Sequence, residues 1–344
     1  MVTLRRINFV CVACRDSARP LDQRVGLDDY LSPQARRLCC LAGGSWSFDR
    51  AEACLHEFCG LRVSDELIRQ ATEQIAVRMG EFAATAPEPV AEFAAATGEA
   101  EFETDAVKVN TLDGWRDMKI GIFVKRPRGE AAGTEDWANR KLPKHTARFS
   151  FAAIEESSDF AVRWAPAAVR LGIDPLSADL AVLGDGAEWI WNRTAEEFPK
   201  ARHILDIFHA AEKIADTTKI LFDDAAEATA QRERGRTLLL SDGYQGLTDW
   251  IGELTGLPSL GGDGAALGTM TNYFAGHRDR LNYALRLKRG QTIGSGLVEG
   301  AAKNMIGRRL KANNAEWTEE NVNRMGVVCS AMYSGYWDSF WESN

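Results

Sequence analysis

Apolar residues recur along this chain with two different periods, and the changes of period divide it. Between Ser32 and about Met79 the spacing is helical, in three short segments. Ser32-Pro33 places an N-cap before a proline at the first helical position. Ser47 heads a second helix with Phe48, Ala51, Leu55 and Phe58 inward, and Gly60 ends it. Ser64-Asp65-Glu66 opens a third, whose apolar face is Leu67, Ile68, Ala71, Ile75 and Met79. Residues 1–30 carry no such period and read as an irregular arm. Residues 83–98, rich in Ala, Glu and Pro, read as a linker.

From residue 99 the period shortens to two. Phe102–Thr111 reads as a strand with Glu103, Asp105, Val107 and Val109 on one face. Trp115–Lys125 reads as its hairpin partner, and Ala147–Ile154 as a third strand. Asp159–Leu171 has the spacing of an amphipathic helix with Phe160, Val162, Trp164 and Val169 inward. Leu180–Leu183 is a short buried strand ending in Gly184-Asp185-Gly186, and His203–His209 resembles one more strand running into helix. From Ala210 to about Arg289 the pattern is helical, broken near Leu257 to Gly264. The order predicts an α/β fold: a mixed sheet with flanking helices in residues 99–344, carrying an all-α insertion at about 210–290. A helical domain at 31–82 precedes it. Its last two helices, joined by a short Gly-containing turn, suggest a helix-turn-helix in which Arg62, Arg69 and Gln70 meet DNA. A plain three-helix bundle used for packing or dimerisation fits those residues equally well.

Composition narrows the class. The 344 residues are 45% hydrophobic and 26% charged, which describes a globular protein of two or three domains. No apolar run reaches membrane-span length and the first ten residues lack a signal-peptide core, so a cytoplasmic protein is expected. The net charge of −8 argues against a chain that coats nucleic acid over its whole surface. Base is nevertheless concentrated at Lys125–Arg128, Arg140–Lys144 and Lys303–Lys311, which leaves room for a local basic groove. Seven cysteines and no export signal argue against a disulfide framework. Cys11-x-x-Cys14 is half a zinc site with poor partners elsewhere, leaving inert thiols and a structural zinc as alternatives.

Candidate chemistry rests on acids. The chain has no phosphate-binding glycine loop, no nucleophile elbow and no H-E-x-x-H pair. Asp105 lies inside an apolar strand and Asp185 at the end of another, where an ionised carboxylate is costly unless paired or bound to metal. Magnesium prefers such oxygens, and two ions about 4 Å apart suit phosphodiester cleavage. A third acid, Glu299, follows the Gly294-Ser295-Gly296 turn and precedes Lys303, Arg308, Arg309 and Lys311. Each acid also has a plainer reading. Asp105 could be a surface residue of an edge strand, Asp185 a turn former, and Glu299 the N3 residue of a helix capped by Gly296.

Several motifs in order resemble one family. Leu183-Gly-Asp-Gly-Ala-Glu-Trp-Ile-Trp191 is similar to the second-aspartate motif of bacterial insertion-sequence transposases of the DDE superfamily. Asp206-Ile-Phe-His209 matches the D-x-x-H motif of their Mutator-like relatives, and Tyr273 to Trp317 resembles the region around the catalytic glutamate. Asp105 to Lys119 resembles the first-aspartate strand and hairpin, with Ala106 where such sequences usually carry Gly. The likeness is to the Kra-type group and spans roughly residues 100–341. It implies an RNase H-like catalytic domain holding two Mg²⁺ (or Mn²⁺) ions on Asp105, Asp185 and Glu299, with Asp206 and His209 as supports. It implies DNA contacts through Lys303, Arg308, Arg309 and Lys311, and terminal inverted repeats and target DNA as partners. A homodimer or larger synaptic assembly in the bacterial cytoplasm, associated with the nucleoid, follows from the same likeness. A metal-dependent nuclease without strand transfer, and a DNA-binding protein with a dead catalytic domain, are the rival readings.

Overall fold

The sheet is built on one long hairpin. In the computed structural model, which describes residues 7–24, 26–27, 30–257, 264–311 and 315–343, a small hairpin of β1 (Phe9–Val10) and β2 (Ser17–Ala18) comes first. Then β3 (Glu99–Thr111) and β4 (Gly114–Arg126) pair antiparallel along their whole length, with Asp105 opposite Ile120. The strand β5 (Ala147–Ile154) adds antiparallel to β4. On the other side, β6 (Ala181–Gly184) lies parallel to β3, and β7 (Arg202–Leu205) parallel to β6. The order is β5-β4-β3-β6-β7 in a five-stranded mixed sheet.

Both faces of this sheet are covered, which is why β6 reads as a continuous apolar run rather than an alternating one. Phe102, Phe123, Phe160, Trp164 and Phe198 fill one side. Met118, Ile120, Ile122 and Val124 meet Val298, Ala301, Met305, Val322 and Met325 on the other. A separate helical core gathers around Leu247, Trp250 and Phe274 from the helices Ile207–Leu221, Ala225–Thr255 and Gly264–Gly276. The expected helix break between Leu257 and Gly264 falls mostly on residues 258–263, outside the described residues. No helix among the described residues is long and apolar enough to cross a membrane.

Three expectations need correction. The expected linker is structured: Asp65–Thr85 runs on as helix, and Glu88–Ala95 forms another, with Pro87 and Pro89 at its start. Phe93 from that helix is 2% exposed in the same core as Phe102, so residues 83–98 bind the helical segment to the sheet. Cys40, Ile75 and Met79 enter that core beside Val328 and Ala331 of the helix Glu319–Ser334. Second, the Asp159–Leu171 helix is two short ones, Ser157–Ala161 and Trp164–Arg170, and Val162 and Val169 face outward. Third, Phe58 is exposed rather than inward on the helix Phe48–Cys59.

Candidate active site

Strand register brings the first two acids together. Glu103 pairs with Leu183, so Asp105 and Asp185 each lie two residues further along in the same direction, Asp105 in the middle of β3 and Asp185 just past the carboxyl end of β6. Leu205 pairs with Gly184, and the Asp206 amide donates to the Gly184 carbonyl at 2.8 Å, which sets Asp206 beside Asp185 at that same end. This is the end of a parallel sheet where loops gather functional side chains.

Asp206 ties the site together. It is fully buried and is the N-cap of the helix Ile207–Leu221, accepting from the amides of Phe208 at 2.6 Å and His209 at 3.1 Å through Oδ1. Its Oδ2 accepts from the Ser295 hydroxyl at 2.8 Å and from the Ser295 amide. The Gly294-Ser295-Gly296 turn is thereby pinned to the start of that helix. A Cβ on Gly294 would sit 3.2 Å from the Phe208 ring and 3.3 Å from the Asp206 carboxylate, so this approach leaves little room for a side chain.

The pinned turn launches the helix Gly296–Ala301, with Ser295 rather than Gly296 as its N-cap. Glu299 therefore stands one position beyond the expected capping site. The Ser295 hydroxyl, committed to Asp206, makes no cap bond to the helix. The helix start is satisfied instead from the sheet, where the Val298 amide donates to Glu103 Oε2 at 2.9 Å. Glu299 is half-buried.

Asp105, Asp185, His209 and Glu299 share one electrostatic neighbourhood. Burial pushes the Asp105 carboxyl up to about 6; the Asp185 and Glu299 charges add to that rise, while the Ala106 amide and His209 oppose it. Asp105 Oδ1 accepts from the Ala106 amide at 2.7 Å, and Asp185 Oδ1 from the Ala187 amide at 2.8 Å. The Trp191 indole donates to the Asp185 carbonyl at 2.8 Å and fixes the loop. Any Cβ on Gly186 would meet the Tyr273 hydroxyl at 2.4 Å, which explains the glycine after Asp185. The chemistry of these three carboxylates suits a hard divalent cation. Among the described residues no three His, Cys, Asp or Glu side chains stand close enough to hold an ion as they are. With Asp105 and Asp185 each turned to a backbone amide, closing on an ion requires side-chain movement.

Two further acids stand on the same strand as Asp105. Glu101 and Glu103 share the Asp105 face of β3, and both are buried. Burial and Glu101 push Glu103 up to about 8, against the Val298 amide and Arg126; its Oε1 finds no partner among the described residues. Glu101 pairs with Arg126 at 3.0 Å. Glu103 and Arg126 line a cavity of about 350 Å³ together with Trp137, Arg140, His145 and Phe208. The alternation Glu101-Glu103-Asp105 was the available signal, because residues two apart on a strand share a face.

The expected nucleic-acid contacts divide. Lys303, Arg308 and Lys311 are exposed beyond Glu299. Arg309 is not: it is 4% exposed, its Nε donates to the Gly43 carbonyl at 2.5 Å, and it lies 4.6 and 4.7 Å from the Phe48 and Trp317 ring centres. It is a packing residue, which corrects its expected role on the DNA face. In the N-terminal helices Arg62 is exposed, whereas Arg69 is engaged by Glu66 and Glu73 and Gln70 by Glu66. Cys11 and Cys14 are exposed in the β1–β2 turn, and no third metal-ligating side chain joins them among the described residues. The chain matches no protein-family model and no curated protein.

Proposed function

We propose that the chain is a DNA transposase of the DDE type, acting through an RNase H-like sheet. The observation that carries the reading is the placement of Asp105, in the middle of β3, beside Asp185, just past the end of the parallel strand β6, with Glu299 brought near them by a helix that Asp206 and Glu103 anchor. A three-stranded antiparallel unit extended by two parallel strands, in the order β5-β4-β3-β6-β7, supports the RNase H-like assignment.

In this reading Asp105, Asp185 and Glu299 would hold two Mg²⁺ ions, which supply charge stabilisation at the attacking and leaving oxygens of a phosphodiester. The protein's own work is positional. Asp206 holds the Gly294–Gly296 turn against the start of the Ile207–Leu221 helix and so sets where Glu299 stands. His209, one turn into that helix, lowers the cost of negative charge at Asp105. Lys303, Arg308 and Lys311, exposed past Glu299, contact backbone phosphates and give register without base readout. Two copies, one on each element end, make the working assembly.

Strand joining tests the reading. Incubated with Mg²⁺, DNA from either side of its reading frame, and a circular target plasmid, the protein should yield covalently joined products. Cleavage with no joined product identifies a nuclease instead, and binding of that DNA without cleavage a DNA-binding protein.

A further inference from the structure

A second cavity lies at the outer edge of β7, on the far side of that strand from β6. It measures about 440 Å³, the size of a small-ligand site. Its residues come from Ala201–Ile204, which take in most of β7, and from the segment 276–291. None of Asp105, Asp185, Asp206 and Glu299 lines it, so this cavity is separate from the acid cluster.

Its lining is cationic in a chain of net charge −8. Arg202, Arg280, Arg286 and Arg289 all line it, with His203 among them. The one acid in the lining, Asp279, has a side chain 90% exposed that leans on Arg278 at 3.6 Å. Burial lowers Arg286 to about 10; Glu101 and Glu99 oppose that shift, and Arg202 and Arg140 add to it.

Three of the four guanidinium groups, those of Arg202, Arg280 and Arg286, are held in place. Arg280 stacks 4.5 Å from the Trp191 ring centre and donates to the Gly276 carbonyl at 2.7 Å. Arg202 donates to the Asp179 carbonyl at 3.0 Å, and buried Arg286 donates to the Thr292 carbonyl at 2.6 Å. Two donors of the lining, Arg202 Nε and Arg280 Nε, find no partner among the described residues. Holding like charges together with unmet donors is costly, and an anion relieves it. A carboxylate offers two oxygens, enough for one guanidinium fork. Several forks around one cavity match a group with three or more acceptor oxygens.

We infer that this cavity binds a phosphate group, gripped by Arg202, Arg280, Arg286 and Arg289. The inference does not depend on the reading of the acid cluster. The phosphate has two sources, a free phosphate compound or the backbone of DNA, and two probes separate them. Inorganic pyrophosphate is titrated by calorimetry and a short duplex by fluorescence anisotropy, against wild type, Arg289→Glu, Arg202→Gln and Arg116→Glu. Arg289 is exposed and makes no side-chain hydrogen bond to the described residues, so its reversal leaves the fold alone. Arg116 is also exposed and lies outside the cavity lining.

Saturable pyrophosphate binding, weakened roughly tenfold or more by the two cavity variants and not by Arg116→Glu, supports a free phosphate ligand. The same pattern seen only with duplex supports a backbone phosphate. If neither probe binds, or if Arg116→Glu weakens binding as much as the cavity variants do, the inference is overturned.

Discussion

At the scale of single residues, Asp206 shows how a side chain outside the acid triad can set its geometry. Its carboxylate serves two amides of one helix and both polar groups of Ser295, all without exposure to water. Asp206→Ala therefore leaves buried donors unmet and should cost about 2–4 kcal/mol in chemical denaturation. Asp206→Asn should cost less, since its carbonyl oxygen can serve the helix amides. Equal cost for both would mean that the charge matters and the bonds do not. The family resemblance already pairs Asp206 with His209, but Ser295, 89 residues away, becomes its partner only through the fold. Arg309 was misread for a nearer reason. It follows the π-helical segment Ala302–Gly307, whose wider turn shifts the helical phase, and it sits on the buried side next to Leu310, where Phe48 and Trp317 receive its planar guanidinium. Counting it with the cations around it ignored that phase.

At the scale of elements, strands were the most legible. Alternation located β3, β4 and β5 closely, because each has a face whose apolar residues the sheet must bury. Helices that depend on remote packing were not legible. Residues 83–98 look like a linker by composition, yet Phe93 and Val90 are drawn into the sheet core. The Ala225–Thr255 helix also hides a feature, a backbone reversal at Gly243 with φ 60° and ψ −131°. A Cβ there would lie 2.7 Å from the Leu281 carbonyl oxygen. Gly243→Ala should thus lower stability by about 2 kcal/mol or more, where an unstrained helical glycine would gain from the change. An unchanged or raised Tm for this variant would show that the kink is not required.

At the scale of the molecule, the helical N-terminal segment, the sheet and the inserted helices share packed cores, and some buried polar groups link them. His277, 7% exposed, accepts from Arg280 at 3.0 Å through Nδ1, a bond only the unprotonated ring can take. Burial and the Arg280 charge hold both His203 and His277 down to about 4. In the unfolded chain these rings take up protons near pH 6.5. Their contribution to stability is therefore complete above pH 6.5 and is lost as the pH falls towards 4. Thermal melts across that window should show a steeper acid loss for wild type than for His277→Gln; parallel curves would contradict it. The acid cluster is likewise a property of the whole fold, since Asp105, Asp185 and Glu299 come from three separate parts of the chain. The most direct test is Mg²⁺-dependent cleavage of inverted-repeat DNA by wild type, Asp185→Ala and Glu299→Ala, with DNA binding measured alongside. Both variants should lose cleavage by roughly a thousandfold while binding as wild type does. Cleavage at the wild-type rate by both would contradict the account.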